Sequence, residues 1–374
     1  MANSDVIFMS GPWITEHEIK VVEDCMRNGW YNYNYVETFQ KQFAAYHNRK
    51  YGIMTPNCTA AIHLLLTAMG IHAGDEVIAP ECTWVGSTAG ITYLRATPVF
   101  CDIDPKHWCL DPESVERSIT PHTRAIIAVD VFGNMPLMDE LLALSKRHGI
   151  PLIEDAAEAL GSVYKGARAG SFGLASVFSF HRTKTVATGE GGMLLLDDQK
   201  LYERCMFLRD HGRKADGPAY YNYEITYKYM PFNLQAAMGY AQFQRIEELV
   251  GKKRWILQSY RTRLADVPDI CFNPEPEGGV NGAWITGLLI GESHNLDKIR
   301  AMDRMKALGL PTRPFFYPLS SLPAYPGCEP VYRPRNPRAY DICARGINLP
   351  GALVMGEAQI DRVCDGVRKM LYHS

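Results

Sequence analysis

From Gly52 to about residue 200 the chain alternates short apolar runs with stretches whose apolar residues recur at helical spacing. The runs are Gly52–Met54, Glu76–Ala79, Pro98–Ile103, Ala125–Val131, Pro151–Ile153, Ser176–Phe180 and Met193–Leu196. The helical patterns are Thr59–Met69, Glu113–Ile119 and Met138–His148. In the first of these, Ile62, Leu65, Leu66 and Met69 fall at i, i+3, i+4 and i+7, which defines one core-facing stripe. Strand-then-helix alternation predicts an α/β fold with a mostly parallel sheet flanked by helices. Upstream, Thr15-Glu-His-Glu18 has the form of a capping box opening a helix with Ile19, Val22 and Met26 on one face. A Gly/Asn/aromatic stretch, Asn28 to Tyr35, ends it. One long helix is expected over roughly Asn233–Leu264. Beyond Asp266 the Pro/Gly/Asn punctuation rises, at 273–279 and again over Leu322–Pro337. The expected organisation is a large domain over residues 1–245 and a smaller C-terminal α+β domain over 246–374, with the boundary inside the long helix.

Composition narrows the class. Apolar residues are 47% and charged residues 21% of the chain, which is ordinary for a globular protein with a sizeable core. Lys plus Arg is 39 and Asp plus Glu is 41, so the basic excess of a nucleic-acid coat is missing. The ten cysteines are scattered, with no CxxC and no Cys/His cluster at metal spacing, so no metal site is expected. Several lie in apolar runs, where a reduced thiol acts as a small hydrophobe. The start, MANSDVIFMSGPW, lacks the basic-then-apolar form of a signal peptide, and no run of about 18 apolar residues occurs. A cytoplasmic location with no membrane partner is the expectation.

Four features then stand in order at the ends of expected strands, where an open α/β sheet binds ligands. Pro56-Asn-Cys-Thr59-Ala60-Ala61 opens a helix with small residues and a hydroxyl, a start suited to a phosphate as well as to an ordinary cap. Trp84, just after a strand, could stack on a planar group or pack in the core. Asp155, with Glu158 beyond it, ends a buried strand, where a carboxylate needs a cationic partner. Lys184 lies between the strand ending near Ser179 and a Gly-rich turn. A lysine in a desolvated site loses its proton readily and forms Schiff bases. Each feature alone is commonplace. Together they match the needs of pyridoxal phosphate: a phosphate cradle, a stacking aromatic, a carboxylate for the ring nitrogen and a lysine.

The segment SFHRTKTVATGEGGM (179–193) resembles the lysine motif of the DegT/StrS sugar aminotransferases, which are fold-type-I pyridoxal-phosphate enzymes. GDEVIAPECTW (74–84), IEDAAEALGS (153–162), LRDHG (208–212) and NLQAAMGYAQ (233–242) resemble further blocks of the family, as do NGW (28–30), TRPFFYP (312–318) and RGINLP (345–350). The resemblance implies that Lys184 binds the cofactor and shuttles protons, with pyridoxamine phosphate as the intermediate form. It implies that Asp155 pairs with the ring nitrogen, that Trp84 stacks on the ring and that Glu158 sits near the ring hydroxyl. It places the phosphate on Thr59, Ala60 and Ser179, with Lys228 reaching across from a second subunit of a homodimer that shares its active sites. Trp30, His211, Arg313 and Tyr317 are the implied substrate residues. TRPFFYP and RGINLP favour the branch that aminates C4 of a GDP-linked 4-keto-6-deoxymannose with L-glutamate as donor, in supply of an O-antigen or other surface polysaccharide. The alternatives are dTDP- or UDP-linked keto-sugars aminated at C3 or C4, and a non-catalytic regulator with the same fold. The chain departs from the family pattern at Asp130, where the family often has His, at Leu319-Ser320, and in a shorter segment after Trp30. The deoxygenating branch of the family replaces the lysine with His, and here the lysine is present.

Overall fold

The computed structural model describes residues 6–372. Residues 1–5, the start of the segment read above against a signal peptide, and 373–374 lie outside the described residues, as do the outer ends of the two expected domains. The N-terminal part runs α1 (Glu16–Asn28), α2 (Asn34–Tyr46), β1 (Tyr51–Thr55), α3 (Cys58–Ala68), β2 (Glu76–Pro80), α4 (Gly86–Tyr93), β3 (Thr97–Cys101), α5 (Pro112–Ser118), β4 (Thr123–Val129), α6 (Met138–His148) and β5 (Leu152–Asp155). It continues through β6 (Val163–Tyr164), β7 (Ala167–Arg168), β8 (Ala175–Ser179), β9 (Gly192–Leu196) and α7 (Gln199–Arg209) to α8 (Asn233–Gln244) and α9 (Ile246–Arg263). The rest is β10 (Ile270–Phe272), β11 (Gly279–Val280), β12 (Thr286–Ile290), α10 (Lys298–Ala307), β13 (Arg313–Pro314), α11 (Glu329–Tyr332), α12 (Pro337–Arg345), β14 (Gly346–Leu349) and α13 (Glu357–Tyr372).

The main sheet has seven strands in the order β1-β9-β8-β5-β4-β2-β3. All its neighbours pair parallel except those of β9, which is antiparallel to both β8 and β1. Its strands read as continuous apolar runs because both faces are covered. Along β4, Ile126 and Ala128 enter one core while Ala125, Ile127 and Val129 enter the other. Along β9, Met193 and Leu195 alternate with Leu194 and Leu196 in the same way. Period-two alternation thus feeds two apolar layers. The four-stranded sheet β10-β12-β14-β13 is antiparallel throughout, and β11-β6-β7 forms a third, small sheet.

The capping box at the start of α1 forms: Glu18 accepts the Thr15 N–H at 2.7 Å, and the Thr15 hydroxyl accepts the His17 N–H at 3.3 Å. The long helix expected over 233–264 is instead two helices broken at Arg245 (φ −108°, ψ 16°). Periodicity cannot see this break, because apolar spacing continues across it. Arg245 holds the corner, bonding Glu18 of α1 at 2.6 Å and Glu248 at 2.9 Å.

Candidate active site

The parallel strands β1, β2, β4, β5 and β8 end on one edge of the sheet, and the functional residues are the ones that follow. Asp155 closes β5 and is buried. Its Oδ2 accepts the Ser87 hydroxyl at 2.7 Å and its Oδ1 accepts the Ala157 N–H at 3.1 Å. Burial pushes this carboxyl above its ordinary range, against the pull of Ser87, Ala157 and the Lys184 charge. Glu158, one turn on, accepts the Phe132 N–H at 2.8 Å and lies 3.3 Å from Lys184 Nζ. Burial raises Glu158 as well, although the lysine charge opposes it.

Lys184 reaches back from the Gly-rich turn after β8 and is largely buried. Its ammonium sits 3.7 Å from the centroid of the Trp284 ring, and the Trp284 N–H donates to the Thr183 carbonyl at 2.8 Å. The lysine is therefore held between a carboxylate and an aromatic face.

At the start of α3 the cap is Asn57, whose Oδ1 takes the Ala60 N–H at 2.8 Å. That leaves the N–H groups of Cys58 and Thr59, at the positive end of the helix, to meet an anion. Ser179 ends β8 and pairs with Gly192 of β9. A Cβ on Gly192 would stand 2.5 Å from the Asn57 backbone, so only glycine lets β9 pass this close to the helix start. Trp84 lies at the rim, 63% exposed, with its ring centroid 6.2 Å from that of Phe316. Phe316 in turn stacks on Phe132 at 5.2 Å and 17°, so the three rings form one aromatic wall.

Of the expected substrate residues, Arg313 (on β13) and Tyr317 flank Phe316 in sequence. Lys298 Nζ packs over the Tyr317 ring at 3.6 Å. Arg313 is exposed, and it feels the charge of Arg182 in the lysine motif. Trp30 packs edge-on against Phe232 at 5.4 Å. His211 and Lys228 make their contacts in the excursion between α7 and α8: the His211 N–H donates to the Tyr227 carbonyl, and Lys228 Nζ bonds Asp210 Oδ1 at 2.7 Å. The structure thus brings Asp155, Glu158 and Lys184 together, whereas the contacts of Trp30, His211 and Lys228 are with Phe232, Tyr227 and Asp210.

Sequence reasoning missed Ser87 and Trp284. Ser87 could have been found from its place three residues after Trp84, at a helix start of small polar residues. Trp284 carries no local signal, since it lies 100 residues from Lys184 in the chain. Among the described residues no group of His, Cys, Asp and Glu could hold a metal ion, and all ten cysteines are free thiols.

The residues fit pyridoxal phosphate on charge. Two buried carboxyls, Asp155 and Glu158, face a single lysine, so full ionisation leaves one negative charge uncompensated, at a cost of several kcal/mol. A protonated ring nitrogen beside Asp155 would balance it.

Relatives of known family membership match nearly the whole chain. The family model described as the DegT/DnrJ/EryC1/StrS aminotransferase family matches residues 12–368. The GDP-perosamine synthase of Escherichia coli O157:H7 is 33% identical over 96% of both chains, and that of Caulobacter vibrioides is 34% identical over 99% of this chain and 100% of its own. Spr1654 of Streptococcus pneumoniae, solved in its PMP form, superimposes with a TM-score of 0.88 at 26% identity over 97% of both chains. Its PLP form matches equally well, with a TM-score of 0.88. The chain belongs to the DegT/DnrJ/EryC1/StrS family and has the fold-type-I architecture of its pyridoxal-phosphate-dependent sugar aminotransferases.

Proposed function

We propose that the enzyme moves the amino group of L-glutamate to C4 of GDP-4-keto-6-deoxy-D-mannose, giving GDP-perosamine for an O-antigen or related lipopolysaccharide. The observation that carries this reading is the full-length likeness to GDP-perosamine synthases at 33–34% identity. When bound, pyridoxal phosphate supplies an electron sink and a carbon that carries the amino group between donor and acceptor. The chain's residues do the rest. Lys184 Nζ takes the Cα proton of glutamate in the first half-reaction and delivers a proton to the sugar C4 in the second. Asp155, oriented by Ser87 and Ala157, keeps the ring nitrogen protonated. Glu158 holds Lys184 on one side and meets the ring hydroxyl on the other. Thr59 and Ser179, with the first N–H groups of α3, hold the phosphate. Trp84 covers the ring face, and Arg313, Tyr317, His211 and Trp30 meet the nucleotide-sugar.

The working unit in this reading is a homodimer in which Lys228 completes the partner's phosphate site. The excursion that carries Lys228 supports it: Tyr220 and Ile225 there are fully exposed, an arrangement suited to burial against a second copy. The test is product analysis with glutamate and a panel of GDP-, dTDP- and UDP-linked 4-keto-6-deoxy sugars. GDP-perosamine formed from the GDP substrate alone is the expected result. Preferential amination of a dTDP or UDP substrate would assign a different sugar transaminase activity.

A further inference from the structure

Asp130 follows β4 directly and is completely buried, yet neither of its side-chain oxygens receives a hydrogen bond. An ionised carboxylate in that state would cost several kcal/mol. The β4–β5 register sets Ala128 opposite Glu154, so Asp130, two residues on, projects to the same face as Glu154 and meets its side chain diagonally. Glu154 is the better served of the two. It accepts the Gly170 N–H at 2.7 Å and the Phe172 N–H at 3.0 Å, and the Arg49 charge favours its ionised form. The further titratable groups that bear most on Asp130 are Asp155 and Glu158 from β5 and its following turn, with the Cys109 thiol also near, and none of these is cationic. Two carboxyls in contact without a cation between them need a shared proton. Since Glu154 already accepts donors and Asp130 has none, that proton belongs on Asp130.

The contact also has a mechanical consequence. Asp130 begins the turn that ends at Gly133, and in it Phe132 is held at φ +58°, a left-handed conformation that a phenylalanine keeps only when its surroundings impose it. That turn presents the Phe132 N–H to Glu158, which lies against Lys184. It also places the Phe132 ring against Phe316.

We infer that Asp130 is a neutral carboxylic acid donating its proton to Glu154, and that this bond is a positioning device fixing the turn that holds Glu158 against Lys184. The second half of the inference rests on the roles proposed above for Glu158 and Lys184. The first half does not. The device donates only while Asp130 stays protonated.

Infrared difference spectroscopy of the cofactor-free protein tests the proton directly. Wild type minus Asp130→Asn at neutral pH should show the carbonyl stretch of one protonated carboxylic acid, and wild type minus Glu154→Gln should show it too, because the new amide can donate to an ionised Asp130. Absence of that band from both difference spectra would overturn the inference, and the second variant keeps the test open if the first folds poorly. For the positioning role, Asp130→Asn, whose amide donates the same bond, should bind pyridoxal phosphate within about twofold of wild type. Asp130→Ala should bind it at least tenfold more weakly. Equal affinity of the alanine variant and wild type would overturn the positioning role. Failure of the sugar assay with the infrared band present would count against the proposed substrate and leave the shared proton standing.

Discussion

Lys184 rests with its ammonium 3.7 Å from the centre of the Trp284 ring, joining a residue of the segment between β8 and β9 to one two residues before β12. The ring gives the protonated lysine a defined seat whenever it is not bonded to the cofactor. A buried cation–π contact is worth about 1–2 kcal/mol. Trp284→Leu should therefore lower kcat by roughly 5–30-fold, while Trp284→Phe, which keeps an aromatic face, should lose less. Steady-state kinetics on both variants checks this. Equal losses in the two would remove the aromatic face from the explanation.

Ser87 concerns the cofactor rather than the lysine. Its hydroxyl is a neutral donor to Asp155, and it favours the ionised carboxylate that burial opposes. Ser87→Ala should weaken pyridoxal phosphate binding by about 10–150-fold, the effect of one lost hydrogen bond to a charged group. The measurement is an absorbance titration of the cofactor-free protein. Unchanged affinity would show that Ser87 does not tune Asp155.

His47 sets part of the acid limit of stability. It is fully buried among Phe43, Tyr46 and Phe178, with Nδ1 bonded to the Ala169 carbonyl at 2.7 Å. Burial pushes it down from an ordinary 6.5 to about 3. A group depressed on folding contributes stability that is fully present above its unfolded value and is lost as pH falls towards its folded one. The stability that wild type loses between pH 6.5 and 3 through this residue is on the order of 4 kcal/mol. Denaturant midpoints at pH 7 and pH 4 should fall further for wild type than for His47→Gln. An equal fall in both proteins would mean that His47 does not govern the acid response.

The seven strands of the main sheet were the most legible part of the chain, because burial on both faces writes them as plain apolar runs. Met138–His148 was legible to the residue, since its apolar stripe and its Gly149 terminus agree. The helix Gly86–Tyr93 was not: Gly86, Ser87, Thr88 and Gly90 give it no apolar stripe, and it forms because the strand end and Asp155 receive it. Lys184, Asp155 and Glu158 could be read from motif and position, since each sits within a few residues of a strand end. Their partners could not. Trp284, Ser87 and the Asp130–Glu154 contact come from segments joined only by the sheet order β8-β5-β4-β2 and by the packing of the segment that precedes β12. Lys228 shows the same limit differently, since its role as proposed needs a second subunit.

In the proposed reaction Lys184 carries amino transfer from glutamate to a GDP-linked keto-sugar. The most direct measurement incubates wild type and Lys184→Ala, each supplied with pyridoxal phosphate, with L-glutamate and GDP-4-keto-6-deoxy-D-mannose, and quantifies amino-sugar and 2-oxoglutarate by mass spectrometry. GDP-perosamine and 2-oxoglutarate in equal amounts from wild type, with turnover abolished in Lys184→Ala, is the predicted result. No amino-sugar from wild type, or undiminished turnover in the variant, would contradict it.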